Sequence, residues 1–192
     1  LDVASGVINL TASGAAIVSN NNSATVTVTG TITDVSNTAG TLSYTGDLDF
    51  NGIDTLTITI NDEGSTGAGG GADIVDTVTV SVQAINDAPI LIVAGAQTPI
   101  EEVQTAITGI SVSDVDADSG AGPEFLTMTL DATVGIIDVV ASGAAVVTNN
   151  SSASVTIEGL VADVSATAAS LLYTGSVDEE GTDTLTIVVS DN

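Results

Sequence analysis

Apolar and hydroxyl-bearing residues alternate along several short stretches of the chain. In Leu56–Ile60 and Val78–Val82 every second residue is aliphatic, and the residues between them are threonine or serine. A similar alternation occurs at Val26–Val28, Val155–Ile157 and Leu185–Val189. A period of two predicts β-strands that each bury one face.

Two other stretches carry a helical period. Their apolar residues are separated by three, four and three positions, which places them on one face of a helix. These residues are Ile32, Val35, Ala39 and Leu42 in the first stretch, and Val161, Val164, Ala168 and Leu171 in the second. Each stretch predicts one short helical turn, with Asp34 and Asp163 as the expected N-caps.

The sequence repeats itself at a constant spacing. Leu1 aligns with Leu130 and Asp62 with Asp191, a shift of 129 positions without a gap, and about half of the aligned positions are identical. A fixed period of this kind predicts two copies of one structural unit. Short strands separated by glycine-rich loops further predict that each unit is an all-β sandwich.

The expected domain boundary lies in the segment Asn86–Pro89, because Pro89 cannot donate to a strand ladder. Domain 1 then comprises residues 1–87 and domain 2 residues 88–192. The equivalents of Ile90–Met128 do not precede domain 1, and domain 2 lacks a last strand. Two interpretations remain open: a window of a longer tandem array, or a fibre subunit whose strands come from a neighbouring chain.

Composition adds an unusual constraint. The chain has 25 Asp and Glu but no Lys, Arg or His, so its formal charge is −25. Each carboxylate must be solvated, accept hydrogen bonds from N–H or hydroxyl groups, or coordinate an external cation. A hydrophobic fraction of 43% is sufficient for a core and excludes a disordered acidic tail.

The missing residue types exclude most enzyme classes. Without His, Cys, Lys or Arg the chain cannot form a Ser-His-Asp triad, a thiolate site or a phosphate clamp. A carboxylate-pair glycosidase remains conceivable, but the chain has few aromatic rings on which sugars could stack. We therefore expect no enzyme. Nucleic acid and anionic membranes are poor partners, and no apolar run is long enough for membrane insertion.

Several acidic motifs, in this order and partly repeated, resemble the cadherin-like tandem repeats of giant bacterial surface adhesins and related secreted proteins. The motifs are Asp49-Phe50-Asn51-Gly52-Ile53-Asp54, Asn61-Asp62-Glu63-Gly64, Asn86-Asp87-Ala88-Pro89, Glu101-Glu102 and Asp114-Val115-Asp116-Ala117-Asp118. The resemblance covers nearly the whole chain. It implies Greek-key sandwiches of the cadherin or immunoglobulin type strung end to end, with calcium bound between them.

In such an arrangement three acidic groups should converge where the two domains meet. The loop with Asp49 and Asp54 would lie at the bottom of domain 1, beside its exit linker. The loop after the first strands of domain 2 would face it from the top of that domain. Calcium takes about six to eight oxygen ligands, which such groups supply. The expected ligands are Asp49, Asp54, Asn86, Asp87, Asp114, Asp116 and Asp118.

A second calcium site is expected at the opposite end of domain 2, from Glu101, Glu102, Asp178 and Asp183. Each of these residues has an alternative explanation, because Asp and Asn also favour turns.

The leading hypothesis is a calcium-rigidified extender of a large extracellular or cell-surface adhesin. Its partners would be neighbouring repeats and possibly a cell-surface ligand. The alternative is a self-assembling filament or sheath subunit, a homo-polymer completed by strand exchange.

Overall fold

A computed structural model describes residues 1–64, 71–93, 95–118, 124–178 and 180–191. The described part is mostly β-strand, with two α-helices, so the predicted all-β class is confirmed. The chain divides into two compact units, unit 1 (Leu1–Ile85) and unit 2 (Asn86–Asn192). This division precedes the predicted boundary, which follows Asp87. None of the described helices is long and apolar enough to cross a membrane.

Unit 1 contains three antiparallel strand pairs, β1–β4, β2–β3 and β5–β6, and one helix. The elements are β1 (Gly6–Asn9), β2 (Ile17–Ser19), β3 (Thr27–Thr29), α1 (Ile32–Ala39), β4 (Ser43–Gly46), β5 (Gly52–Ile60) and β6 (Ile74–Val82). Their core is small: the buried cluster consists of Val3, Ile8, Leu10, Val26 and Leu56.

The first three residues of unit 1 form a strand stub between two of these pairs. Asp2 forms antiparallel bridges with Thr25 on one side and Thr57 on the other. The N–H of Asp2 donates to Thr57 at 2.9 Å, and the N–H of Val26 donates to Leu1 at 2.9 Å. The stub therefore connects the segment leading into β3 with β5.

Unit 2 contains a four-stranded sheet, a three-stranded sheet and one further strand pair. Its elements are β7 (Ile90–Ile92), β8 (Thr105–Ala106), β9 (Ser111–Ser113), a 3-10 turn (Asp116–Asp118), β10 (Phe125–Ala132), β11 (Ile136–Asp138), β12 (Val146–Thr148), β13 (Ser154–Leu160), α2 (Val161–Ala168), β14 (Leu172–Thr174) and β15 (Leu185–Asp191). The sheet orders are β12-β13-β10-β15 and β11-β14-β8, and β7 pairs with β9.

One apolar cluster unites these elements of unit 2. Leu126, Met128 and Leu130 of β10 contribute fully buried side chains from the four-stranded sheet, and Ile137 does so from the three-stranded sheet. The helix α2 adds Val164, which is also fully buried. Unit 2 thus has a larger core than unit 1, because β10 supplies three apolar residues on one face.

Several elements of the two units correspond at the spacing of the sequence repeat. Helix α2 begins and ends 129 positions after α1, and β12 does so after β2. Asp131 pairs with Ser154 and Thr186, the counterparts of Thr25 and Thr57, as Asp2 does in unit 1. Leu1–Val3 therefore has the same register as the last three residues of β10.

Two local predictions were wrong. Thr31, not Asp34, is the N-cap of α1, and its hydroxyl accepts from the N–H of Asp34 at 3.3 Å. Asp163 likewise lies in the first turn of α2, whose N-cap is Leu160. In β6 the expected buried face is absent: Val80 and Val82 are only half-buried and Val78 is exposed.

Candidate metal centre

Three acidic residues meet at one edge of unit 2 because three strand ends meet there. Asp114 directly follows β9, Glu124 directly precedes β10, and Asp191 is the last residue of β15. The antiparallel pairing of β10 with β15 sets Leu126 opposite Asp191, which brings Glu124 near the end of β15. One carboxylate oxygen from each of the three lies within 4.8 Å of the others. We call these three residues the acidic cluster.

The first residues of unit 2 are hydrogen-bonded to the same edge. The N–H of Asp87 donates to Oδ2 of Asp116 at 2.6 Å, and Nδ2 of Asn86 donates to Oδ2 of Asp191 at 2.6 Å. Within the loop, the N–H of Asp116 donates to Oδ1 of Asp114 at 2.9 Å. Of the predicted junction residues, unit 2 therefore brings Asn86, Asp87, Asp114 and Asp116 together.

Some oxygens of the acidic cluster are buried without a hydrogen-bond donor. Oδ2 of Asp114 and both carboxylate oxygens of Glu124 are inaccessible to solvent and accept no hydrogen bond. Burial raises the pKa of Glu124, and the charges of Asp114, Asp116 and Asp191 raise it further. Two ionised carboxylates are both acceptors, so a hydrogen bond between Glu124 and Asp114 requires a proton on one of them. A buried, unpaired carboxylate is costly, and only a proton or a cation removes that cost here.

The donor set fits a hard divalent cation. Carboxylate oxygens suit calcium or magnesium, whereas zinc sites in proteins usually include imidazole or thiolate ligands, which the chain lacks. Asp114 and Glu124 would be the principal ligands, with Asp191 as the third. The ion would supply the positive charge that no side chain of the protein provides.

Asp183, predicted as a ligand of the second site, has a different environment. Its carboxylate accepts hydrogen bonds from the N–H groups of the Thr133–Gly135 loop, from the N–H of Thr184 at 2.7 Å and from the hydroxyl of Tyr173 at 2.7 Å. Burial alone would raise its pKa, but these hydrogen bonds lower the pKa to about 2. Burial and the bond to Asp183 raise the pKa of Tyr173 to about 12.

Asp54 occupies the equivalent place in unit 1. It is buried, and it accepts hydrogen bonds from the N–H groups of Ala4, Ser5 and Thr55 and from the hydroxyl of Tyr44 at 3.0 Å. Burial would raise the pKa of Asp54, but these bonds lower it. In both units the carboxylate thus binds internal donors, and we assign Asp54 and Asp183 to the fold rather than to a metal.

The remaining predicted ligands do not join the acidic cluster. Asp49, Glu102 and Asp178 are exposed and have φ angles of 59°, 59° and 56°, a backbone conformation found at turns. Glu101 lines a cavity of about 710 Å³ in unit 2, whose wall also includes Asp183. The side chain of Asp118 lies outside the part of the chain that the structure describes. A metal role for these residues stays a prediction.

Sequence reasoning missed Glu124 and Asp191. Both lie far along the chain from Asp114, and only the pairing of β10 with β15 brings the three together. The available signal was the repeat, which aligns Asp191 with Asp62 at the end of an alternating strand. No known protein family, curated protein or solved structure matches the chain. The functional argument therefore depends on the residues and their geometry.

Proposed function

We propose that the chain is a calcium-stabilised structural segment of a large extracellular adhesin or surface fibre. Its two units would be Greek-key sandwiches of the cadherin or immunoglobulin type, repeating every 129 residues. The role is mechanical rather than catalytic. In support, the chain lacks the His, Cys, Lys and Arg on which most catalytic sites depend.

The observation that carries this proposal is the set of buried oxygens without a donor at Asp114 and Glu124. A protein without side-chain cations has no internal means to neutralise them at neutral pH other than by holding a proton. A calcium ion would replace repulsion between carboxylates with shared coordination.

Calcium would act on the entry to unit 2 as well as on its core edge. Asn86 and Asp87 are hydrogen-bonded to Asp191 and Asp116, two of the acidic residues at this edge. Fixing these carboxylates would also fix the segment that leads into β7. The same ion would stabilise the folded unit by mass action, by about 2.7 kcal/mol when free calcium is 100 times the dissociation constant.

The test is a thermal melt of the intact chain with calcium, with magnesium and with chelator, together with calorimetric titration of calcium. Calcium should raise the melting temperature of unit 2. Glu124→Gln should abolish that increase and should also raise the melting temperature in chelator, because it removes a buried charge. Glu158→Gln is the matched control: it removes one charge from an exposed position on β13 and should preserve the calcium response.

A calcium-independent melt, with no heat of binding, would contradict the proposal. In that case a proton shared by Glu124 and Asp114 would be the remaining way to neutralise the acidic cluster. The melting temperature in chelator should then fall as the pH rises from about 5 to 8, and Glu124→Gln should remove this dependence.

A second candidate is the filament or sheath subunit completed by strand exchange. The observation in its favour is the exposure of apolar residues in unit 1 that correspond to buried residues in unit 2, such as Ile32 and Val161. Light scattering of the purified chain in calcium tests it. A polymer favours the filament, whereas a monomer favours the extender.

A further inference from the structure

Helix α1 of unit 1 leaves its apolar face uncovered, whereas its counterpart α2 does not. Ile32 is 90% exposed, but the equivalent Val161 is 8% exposed. Ala39 is exposed, whereas the equivalent Ala168 is fully buried. In unit 2 the covering elements are β9, β10 and β13, which all pack against α2. Unit 1 contains a counterpart of β13, namely β3, but has neither a β9 nor more than the last residues of a β10.

The uncovered face continues onto the strands on either side of the stub Leu1–Val3. In unit 2, residues Phe125–Thr129 of β10 pair with β13 on one side and, from Leu126, with β15 on the other. The corresponding edges in unit 1 belong to β3 and β5. Among the described residues, β3 pairs only with β2, and β5 beyond its bridge to the stub pairs only with β6. An open groove therefore lies ahead of Leu1, between β3 and β5.

The stub shows what kind of strand this groove takes. Leu1 exchanges two hydrogen bonds with Val26, one of 3.0 Å from its amino group and one of 2.9 Å to its carbonyl. Asp2 bridges both neighbours in the register that Asp131 has in β10. The ladder is thus correctly paired up to the first atom of the chain, and a strand continuing from it would meet backbone groups already in register.

We infer that the groove of unit 1 is a strand-addition site for an extended segment with the chemistry of β9 and β10. The β10-like part must carry apolar residues at every second position, as Leu126 and Met128 do, with threonines between them. The β9-like part must present an apolar pair such as Ile110 and Val112, which are 3% and 5% exposed in unit 2. The backbone ladder gives affinity, and the alternating side chains cover α1, Val28 and Ile58.

The occupant is a segment additional to β1–β15. If β10 of a second copy moved into unit 1, it would fill one groove and open an equivalent groove in the unit 2 that it left. Leu126, Met128 and Leu130 are all fully buried in their own unit, so this exchange gives no net burial. An unincorporated segment of the same chemistry would gain the full burial of its apolar face.

The test joins a copy of residues 86–129 to the N-terminus of the intact chain, so that Thr129 of the copy precedes Leu1. We expect hydrogen exchange of the groove-facing amides of β3 and β5 to slow at least about 10-fold. The melting temperature of unit 1 should rise by about 5 °C or more, as followed by Tyr44 fluorescence in a Tyr173→Phe background. The matched control carries Leu126→Asp and Met128→Asp in the copy only. Equal exchange rates and melting temperatures for the two fusions would overturn the inference.

A second arm identifies the source of the strand. A labelled synthetic peptide with the sequence of residues 105–129 should bind the unmodified chain, whereas a scrambled peptide should not. Light scattering should find the unmodified chain monomeric at the same concentration. If the chain alone forms oligomers whose assembly the peptide does not inhibit, the occupant is a second copy and the assignment to an additional segment is wrong. Both arms are performed in chelator, so their outcome is independent of the acidic cluster.

Discussion

Replacing Asp183 with asparagine should destabilise unit 2 in a pH-dependent way. The carboxylate of Asp183 accepts hydrogen bonds from Tyr173, from Thr184 and from the Thr133–Gly135 loop. Asparagine keeps the size of the side chain but turns an NH₂ group toward some of these donors. Leaving such donors without an acceptor costs about 1–3 kcal/mol.

The pKa gives a second measure of the same interaction. A fall from 3.8 to about 2 corresponds to at most about 2.4 kcal/mol of stabilisation by the ionised form. Asp183 is partly exposed, so solvent screening reduces this to about 1–2 kcal/mol. Because the folded pKa is the lower one, the stabilisation is complete above about pH 4 and is lost as the pH falls toward 2.

The assay is urea denaturation of the chain and of Asp183→Asn at several pH values from 7 to 2.5. Tyr173 fluorescence reports on unit 2 when Tyr44→Phe removes the other tyrosine signal. The difference in unfolding free energy should be about 1–3 kcal/mol at pH 7 and should narrow below pH 4. Taking this difference cancels the titration of the other carboxylates, which both proteins share.

Glu158→Gln removes an equal charge from an exposed position and should leave the unfolding free energy nearly unchanged at every pH. A difference between the chain and Asp183→Asn that stays constant from pH 7 to 2.5 would refute the argument, since the ionised form would then have no special role.

Three further changes test other parts of the fold. Gly135→Ala should destabilise unit 2 by about 1–3 kcal/mol in urea denaturation, because a β-carbon there would overlap the ring of Tyr173. Absorbance titration should find both tyrosines ionising near pH 12, since burial and the bonds to Asp54 and Asp183 raise their pKa values, and Asp183→Asn should return Tyr173 toward 10; the associated stability is present below pH 10 and lost as the pH rises through 12. Thr31→Ala should cost unit 1 about 0.5–1 kcal/mol by removing the N-cap of α1, whereas Thr29→Ala, exposed on β3, serves as its control.

Local periodicity was sufficient to predict the elements that depend on near neighbours. The alternation in Leu56–Ile60 lies within β5, and the helical spacing that starts at Ile32 coincides with α1. It failed where burial depends on another layer. Val78 continues an alternating pattern but is exposed, because no described element covers that part of β6.

The candidate site was predicted only as far as a single loop determines it. Asp114 and Asp116 are close in sequence, and Asp87 joins them through the fold of the linker segment. Glu124 and Asp191 could not be found, since their proximity depends on the pairing of β10 with β15.

Asp54 and Asp183 were assigned to metal although they bind loop N–H groups and a tyrosine. The sequence signal was the Tyr–Asp spacing of ten residues, from Tyr44 to Asp54 and from Tyr173 to Asp183. Both copies preserve this spacing. A metal-binding interpretation treated these aspartates as separate acids, whereas a pair repeated with its tyrosine indicates a structural contact.

The hydrogen bond between Asn86 and Asp191 has a topological consequence. It places the first residue of unit 2 beside the last residue of β15, so the unit begins and returns at the same edge. A short linker could join these two positions, and the chain could then be opened in another exposed loop without changing any strand pairing. Unit 2 is therefore suited to circular permutation and to insertion as a cassette into a loop of another protein.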